Sequence, residues 1–593
     1  MSDLLNSASL VMIPSGYAED KVYSVVPSDG SGDMAFTRAS NGTRVNSAGL
    51  VEVCPWNLIL QSETFNNSYW NKVNGTITSD SIVAPNGTTT ADLFTITNNS
   101  AFVEKTIAGT GTLFTFIPNT QYTFSCYFKK GSIDYNFKML MYDGVSVTNS
   151  GTINLTTPSS STVSYEDVGN GWYRFYHTFT SSASATTGYF YAVNYDYSTT
   201  ITSGTNVYLW GAQVVQGATA KPYFPTTDRL NVPRLTYQNG GGGCPSLLLE
   251  KQSTNVLTYS EQFDNAIWTK RNSTISANAI TSPDGTTNAD KIQEDTSNDR
   301  HDIYQDISAV SGTTYTQSIF AKKGERDYIF MSFGSSQISS ANSFFNLNTG
   351  VVVSSPSGIT STITDMGNGW YRCTSTGTAV SSGLAYLVTG PSNNGTGISY
   401  QGVSGNGVFI WGAQIEASSY ATSYIPSTSS SATRVADACF KTGISSLIPT
   451  EGVLFCDFTL NGFEGFTSIC GVDNVGTDTT TIRFWSGVGA AGMTVAGLYA
   501  QIYYAGNILV QLISTTPNQR IKGAIRYKSG SIAVYANGSQ IGTSTATFTP
   551  VTLNQLGFSR LWGITENANT TTINEVAIFP VLTNAELASL TTI

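Results

Sequence analysis

Two stretches of this chain, Asn57 to Lys72 (NLILQSETFNNSYWNK) and Asn255 to Lys270 (NVLTYSEQFDNAIWTK), repeat one another at an offset of 198 residues. Ser62, Glu63, Phe65, Asn67 and Trp70 recur as Ser260, Glu261, Phe263, Asn265 and Trp268. Four more matches follow in the same order. Pro85-Asn86-Gly87 with Ala91-Asp92 returns as Pro283-Asp284-Gly285 with Ala289-Asp290, and Tyr122 with Lys129-Lys130-Gly131 returns as Tyr315 with Lys322-Lys323-Gly324. GNGWYR stands at Gly169 to Arg174 and again at Gly367 to Arg372. WGAQ stands at Trp210 to Gln213 and at Trp411 to Gln414, followed by Tyr223-Phe224-Pro225 and Tyr424-Ile425-Pro426. The offset drifts by a few residues, as it does when strands are kept and loops change length. The chain therefore carries one module twice.

Within each copy the local pattern is strand. Tyr122 to Phe128, Trp172 to Phe179, Val207 to Val215 and Tyr315 to Phe320 alternate side-chain character and favour aromatic and β-branched residues. Turn chemistry separates them, at Asn170-Gly171, Asn368-Gly369, Asp284-Gly285 and Pro85 to Gly87. Many short strands so punctuated predict an all-β chain of tandem β-sandwiches of jelly-roll type. Boundaries fall at composition shifts: residues 53–228 form the first module, 229–251 a connector carrying Gly240 to Gly243, and 252–437 the second module, closed by Ser427 to Ser431. Residues 1–52 precede the first module.

Residues 438–593 follow another pattern. Ile525 to Gly538 alternates and ends in the hairpin signal Asn537-Gly538. Leu498 to Tyr504 alternates too, with Tyr499, Gln501 and Tyr503 on one face. Ile573 to Leu587 is a strand followed by Thr583 as N-cap and Glu586 three residues on, a capping box that opens a short helix. A last strand followed by such a helix, together with the N-G hairpin, resembles the laminin-G or concanavalin-A-like sandwich.

Composition narrows the function classes. Charged residues make up 11% of the 593 positions and aromatics 12%, so the low charge does not signal disorder. The net charge of −10 with no basic run argues against nucleic acid. No stretch is long and apolar enough to insert in a bilayer, and Met1 to Ile13 lacks the basic and apolar regions of a secretory signal. The seven cysteines have no C-x-x-C spacing and read as reduced thiols, and two histidines (His177, His301) give no local metal-ligand set. No cofactor or metal is expected. Asp284-Gly285 could assist a calcium site, but its counterpart is Asn86-Gly87. Asn-Gly-Thr at Asn41, Asn74 and Asn86 reads as turn chemistry.

Taken together, the phrase from Tyr23 to Leu50, the N-L…S-E-x-F-x-N…W opening, G-N-G-W-Y-R and W-G-A-Q with S-Y-I-P resemble tail-fibre and head-fibre proteins of bacteriophages that infect Bacteroidota. The resemblance spans essentially the whole chain. It implies a virion structural protein assembled in the host cytoplasm, homo-oligomeric and most simply trimeric. Residues 1–52 would contact other virion proteins, and carbohydrate-binding-like jelly rolls would adhere to host-surface glycans. The first copy departs at Val214-Val215, where the second has Ile415-Glu416, so a role for Glu416 is not shared. A head fibre or capsid decoration without glycan affinity is the alternative, and a polysaccharide depolymerase a more remote one.

Candidate sugar contacts are Trp485, Tyr499, Gln501, Tyr503 and Trp562 in the third domain. The repeated pairs Trp70/Trp268, Trp172/Trp370 and Trp210/Trp411 suit core packing better than sugar stacking. Arg174 and Arg372 read as donors to backbone. No pair of carboxylates suited to glycoside hydrolysis stands out, and neither histidine lies in a triad context, so no catalytic residue and no enzyme is expected.

Overall fold

The alternation in the first copy becomes two facing antiparallel sheets. One runs in the order Ser159–Ser160, Ile153–Asn154, Phe137–Tyr142, Thr187–Tyr195, Thr106–Thr115, Trp70–Val73, with Val147–Asn149 also on Phe137–Tyr142; the other runs Tyr165–Gly169, Trp172–Thr180, Gln121–Lys130, Asn206–Gln216, Ala91–Ile96, Gly75–Ile82. The second copy repeats the second order strand for strand: Ile359–Gly367, Trp370–Thr378, Thr314–Lys323, Gly407–Glu416, Ala289–Glu294, Ser273–Ile280. The computed structural model describes residues 2–99, 106–133, 136–160, 162–195, 200–463, 467–474, 480–487, 495–504, 506–558, 560–561, 564–565 and 570–593. These form two compact units: Pro55–Arg229 with Gly285–Thr287, and Met1–Cys54 with Leu230–Asp284 and Asn288–Ile593.

Each copy has its core between its sheets. In the first, Phe124, Cys126, Phe128 and Phe175 meet Phe137, Met139, Met141 and Phe190, all at most 1% exposed. In the second, Ile319, Cys373, Val408 and Ile410 meet Ile303, Ile329, Met331 and Leu387. The two G-N-G-W turns are tight hairpins with positive φ at both central residues, +53° and +76° at Asn170-Gly171 and +53° and +75° at Asn368-Gly369. The fold is thus all-β, with the module of the sequence repeat realised twice.

The third sandwich is built from more of the chain than residues 438–593. Its first sheet holds Thr571–Phe579, Gly452–Leu460, Arg520–Tyr527, Ile532–Ala536 and Ser539–Ser544, and Leu10–Met12, Arg234–Thr236 and Ser246–Leu249 extend it. Its second sheet begins with Tyr17–Ala18, Lys21–Val22 and Met34–Thr37, which lead onto Ala438–Thr442. Residues set apart by sequence as an attachment segment (1–52) and a connector (229–251) therefore contribute strands to this sandwich, while Gly42–Val45 pairs with Val51–Cys54 in a sheet of its own. The cause is apolar: Leu10, Met12, Val22, Met34, Phe36 and Leu247 are fully buried with Leu454, Phe458 and Phe484 in one core. Nor is the glycine run a loose linker. Gly240 and Gly241 have φ of +79° and +88°, and a Cβ on Gly241 would lie 2.8 Å from the Ala48 carbonyl carbon, so the run is a tight turn laid against another backbone. The third sandwich closes as the sequence predicts, with a hairpin at Asn537-Gly538 and a helix Asn584–Thr591 capped by Thr583 and Glu586.

One buried charge cluster joins these segments. The Asp437 carboxylate accepts from Arg38 Nη1 at 2.9 Å and from Arg234 Nη2; Glu250 accepts from Arg234 Nη1 at 2.6 Å and pairs with Arg434 Nη1 at 3.1 Å. All five side chains are at most 1% exposed. Arg38 also donates to the Val232 carbonyl at 2.9 Å, Arg234 to that of Thr43 at 3.1 Å, and Arg434 to that of Lys251 at 2.8 Å. The guanidiniums hold the Glu250 carboxyl down at about 2 against the burial that would raise it. Asp437→Ala leaves the buried Arg38 guanidinium without a carboxylate and Arg234 with Glu250 alone. It is expected to destabilise this unit by about 3–5 kcal/mol, read as a lowered denaturant midpoint, whereas a loss under 1 kcal/mol would show that the cluster is not structural.

Candidate glycan-binding faces

The third-domain candidates are brought together on neighbouring strands but turned inward. Trp485 and Tyr499 are 1% and 4% exposed and stack on each other at 4.9 Å. Gln501 accepts from Arg483 Nε at 2.8 Å, and Arg483 Nη1 donates to Ser468 Oγ at 3.0 Å. Only Tyr503 is half-buried. Trp485 and Tyr499 are therefore corrected from sugar platform to packed pair, because the strand face that alternation marked as polar is itself covered. Trp562 lies outside the described residues.

The repeated residues have structural duties that explain why they repeat. Trp70 and Trp268 pack on Phe65 and Phe263 inside the sandwiches and donate from Nε1 to the carbonyls of Gln61 and Tyr259. Trp172 and Trp210, and likewise Trp370 and Trp411, form smaller apolar clusters outside the second sheet, each at most 3% exposed. Asn57 and Asn255 bridge the WGAQ strand to the Y-x-P segment, through Ala212 and Phe224 in one copy and Ala413 and Ile425 in the other. Ser62 and Glu63 hold the Tyr223 hydroxyl as Ser260 and Glu261 hold that of Tyr424. Arg174 and Arg372 donate to the carbonyls of Lys221 and Thr422. Glu416 accepts from Ser253, Gln414 and Thr422, a fastening that Val215 does not make in the first copy.

What the second sheet leaves open is a cleft beside the outer Thr-rich strands, and sequence reasoning missed it. In the first copy it measures about 580 Å³ and is lined by Thr123, Thr162, Ser164, Tyr176, Thr178 and the Ala218–Ala220 turn, among others. In the second it measures about 850 Å³, with Thr360, Thr362, Thr374, Thr376 and the Ser419–Ala421 turn in its lining, joined by Tyr420, Phe463, Thr459 and Thr572. The strand registers match. Glu166 faces Arg174 as Thr364 faces Arg372, so Tyr176 corresponds to Thr374 and Thr178 to Thr376. Hydroxyl groups at cross-strand spacing beside aromatic rings can hydrogen-bond and stack on a polyhydroxylated ring. In the first cleft burial pushes His177 down to about 4, so its imidazole is neutral near pH 7. Glu250 is the one carboxylate in the described lining of the second cleft, and with its pKa near 2 it cannot deliver a proton.

No family model matches the chain, and no curated protein does. Among solved structures, the CBM40 of a Ruminococcus gnavus IT-sialidase bound to α2,3-sialyllactose is similar at 16% identity, over 24% of this chain and 83% of that one, with a TM-score of 0.20. A tandem CBM22 pair from Paenibacillus barcinonensis Xyn10C is similar at 9% identity over 61% and 98%, TM-score 0.19. A Trypanosoma rangeli sialidase is similar at 9% over 94% and 97%, TM-score 0.21. Likeness at this level carries no argument about the ligand or activity of this chain.

The clasp carboxylates give a pH signature. Burial, with Asp284 nearby, pushes Glu261 up to about 8, and burial pushes Asp290 up to about 7. Both lie above their values in an unfolded chain, so the folded state takes up protons first and stability rises as pH falls from 8 toward 5. Below that, protonation of Glu250 removes stability, because its folded value lies beneath the unfolded one. Thermal midpoints measured across pH are expected to peak near pH 5–6, and Glu261→Gln to flatten the alkaline side; an unchanged slope in that variant would refute the assignment.

Proposed function

We propose that this chain is a structural fibre protein of a bacteriophage particle that adheres to host-surface glycans through the outer-sheet clefts of its two repeated sandwiches, without catalysis. The observation that carries the adhesive part is the recurrence of one hydroxyl-lined cleft at one register in both copies, where the packing duties of the repeated motif end. The phage part rests on the resemblance of the sequence phrases. Adhesion by weak, repeated sites suits a homo-oligomer, here a trimer, because a second contact on the same particle forms at high effective concentration. Contact with other virion proteins would then fall to the sandwich that contains residues 1–52 rather than to a free arm.

Two exposed threonines allow a test that spares the core. Thr178→Trp and Thr362→Trp fill one cleft each. On a glycan array the full chain is expected to give reproducible hits that each variant weakens and the double variant removes, with no reducing sugar released from any bound polysaccharide. Hits that persist in the double variant would place adhesion elsewhere. Released sugar would establish a depolymerase. A chain that binds no glycan would be a capsid or fibre decoration, and antibody-gold labelling of intact particles would locate it.

A further inference from the structure

The duplicated arginine is buried in one copy and half-buried in the other. Arg174 lies between two rings, Tyr127 at 5.1 Å and Tyr176 at 5.2 Å, and is 6% exposed. Across the strand from it stands Glu166, which the Tyr176 hydroxyl engages. In the second copy Phe320 keeps its place at 5.2 Å from Arg372, but Thr374 replaces the second tyrosine and Thr364 replaces the glutamate. Arg372 is half-buried and lines the larger cleft, whereas no charged side chain lines the smaller one. Its bonds go to neutral acceptors, the Thr422 carbonyl at 2.7 Å and Ser318 Oγ at 2.9 Å.

The carboxylates nearest Arg372, Glu416 and Glu250, act on it by charge but make their hydrogen bonds to other groups. Glu250 is engaged by Arg234 and Arg434, Asp437 by Arg38 and Arg234, and Glu416 by Ser253, Gln414 and Thr422. Four guanidiniums (Arg38, Arg234, Arg372, Arg434) thus stand against three carboxylates, which leaves one formal positive charge in excess in the group, of which Arg372 and Glu250 line the cleft. Arg44, also in the lining, is matched by Glu52 at 2.9 Å. We infer that the second copy is selective for acidic glycans, binding the carboxylate of a uronic acid residue at Arg372, while the first copy takes neutral sugar. This rests on the cleft reading above and assigns its two copies different ligands. A half-buried guanidinium bonded only to neutral acceptors favours a carboxylate over a neutral hydroxyl, and loss of the Tyr176 and Glu166 equivalents removes one ring and the anion that accompany the arginine in the first copy.

The test uses the full chain, titrated calorimetrically with a hexuronate oligosaccharide and with the same oligosaccharide after carboxyl reduction. The native chain is expected to prefer the uronate, with an affinity that falls as salt is raised. Thr374→Tyr, which restores the cover, and Thr364→Glu, which restores the anion at an exposed position, are each expected to weaken uronate binding by about tenfold or more. Binding of the reduced sugar should stay within about twofold. Because neither variant removes Arg372, both keep the bonds that it makes to Thr422 and Ser318. Equal affinity for the two sugars, or uronate binding that both variants leave unchanged, would overturn the inference while leaving glycan adhesion standing. Absence of binding to either sugar would overturn both.

Discussion

Asp437 and Glu250 sit where four separated stretches of chain meet, and their carboxylates are what let three arginines be buried there. Each charge taken from water costs several kcal/mol, and attraction between the partners offsets that cost only when hydrogen bonds also satisfy the remaining donors. Here the arginines add donations to the carbonyls of Val232, Thr43 and Lys251, and Glu250 accepts from the Ser423 amide and hydroxyl. Such a cluster adds little net stability compared with apolar packing of the same volume. Its effect is on register: an arginine displaced by one residue along a strand would point at the opposite face, leaving a carboxylate unpaired. The short strands Met34–Thr37, Arg234–Thr236 and Ser246–Leu249 have few ladder bonds of their own, and the cluster fixes their places.

The repeat motif and this cluster divide the labour of the fold. Ser62, Glu63, Asn57, Trp70 and Gln213 clasp the first copy shut, and their counterparts do the same in the second. Since Ser62, Glu63, Asn57 and their counterparts do not line the clefts, the face that does was free to change after duplication. Tyr176 against Thr374, and Glu166 against Thr364, are changes of that kind, made on strands whose pairing is set by backbone.

Much of this architecture was legible in the sequence. The G-N-G-W turns and Asn537-Gly538 demand positive φ and were read as hairpins; Thr583 and Glu586 were read as a capping box; the offsets gave the duplicated strand order. What stayed hidden has physical causes. Strands of three or four residues such as Leu10–Met12 are too short to show a period, and their partners lie hundreds of positions away. Alternation at Leu498 to Tyr504 marks two faces but cannot say that both are covered, so Trp485 and Tyr499 were assigned to solvent. The clefts are made by neutral residues on exposed strand faces, which carry no motif. Their signal was the replacement of particular side chains between copies at fixed register, and that becomes visible only once the strands are aligned in space.

The pairing of Leu10–Met12 with Thr571–Phe579 also has a consequence for how such a chain emerges from a ribosome. Ser9 bonds the carbonyl of Ile578, 569 positions later. The apolar strand Leu10–Met12 must therefore wait until Thr571–Phe579 has been made before its sheet exists. In that interval the first copy, whose strands are contiguous, has all its partners and can close. The third sandwich assembles after the first copy although some of its strands precede that copy in the chain. Until then Leu10, Met12, Val22, Met34 and Phe36 form an exposed sticky end, which a nascent-chain chaperone or an early contact with a sister chain would have to guard.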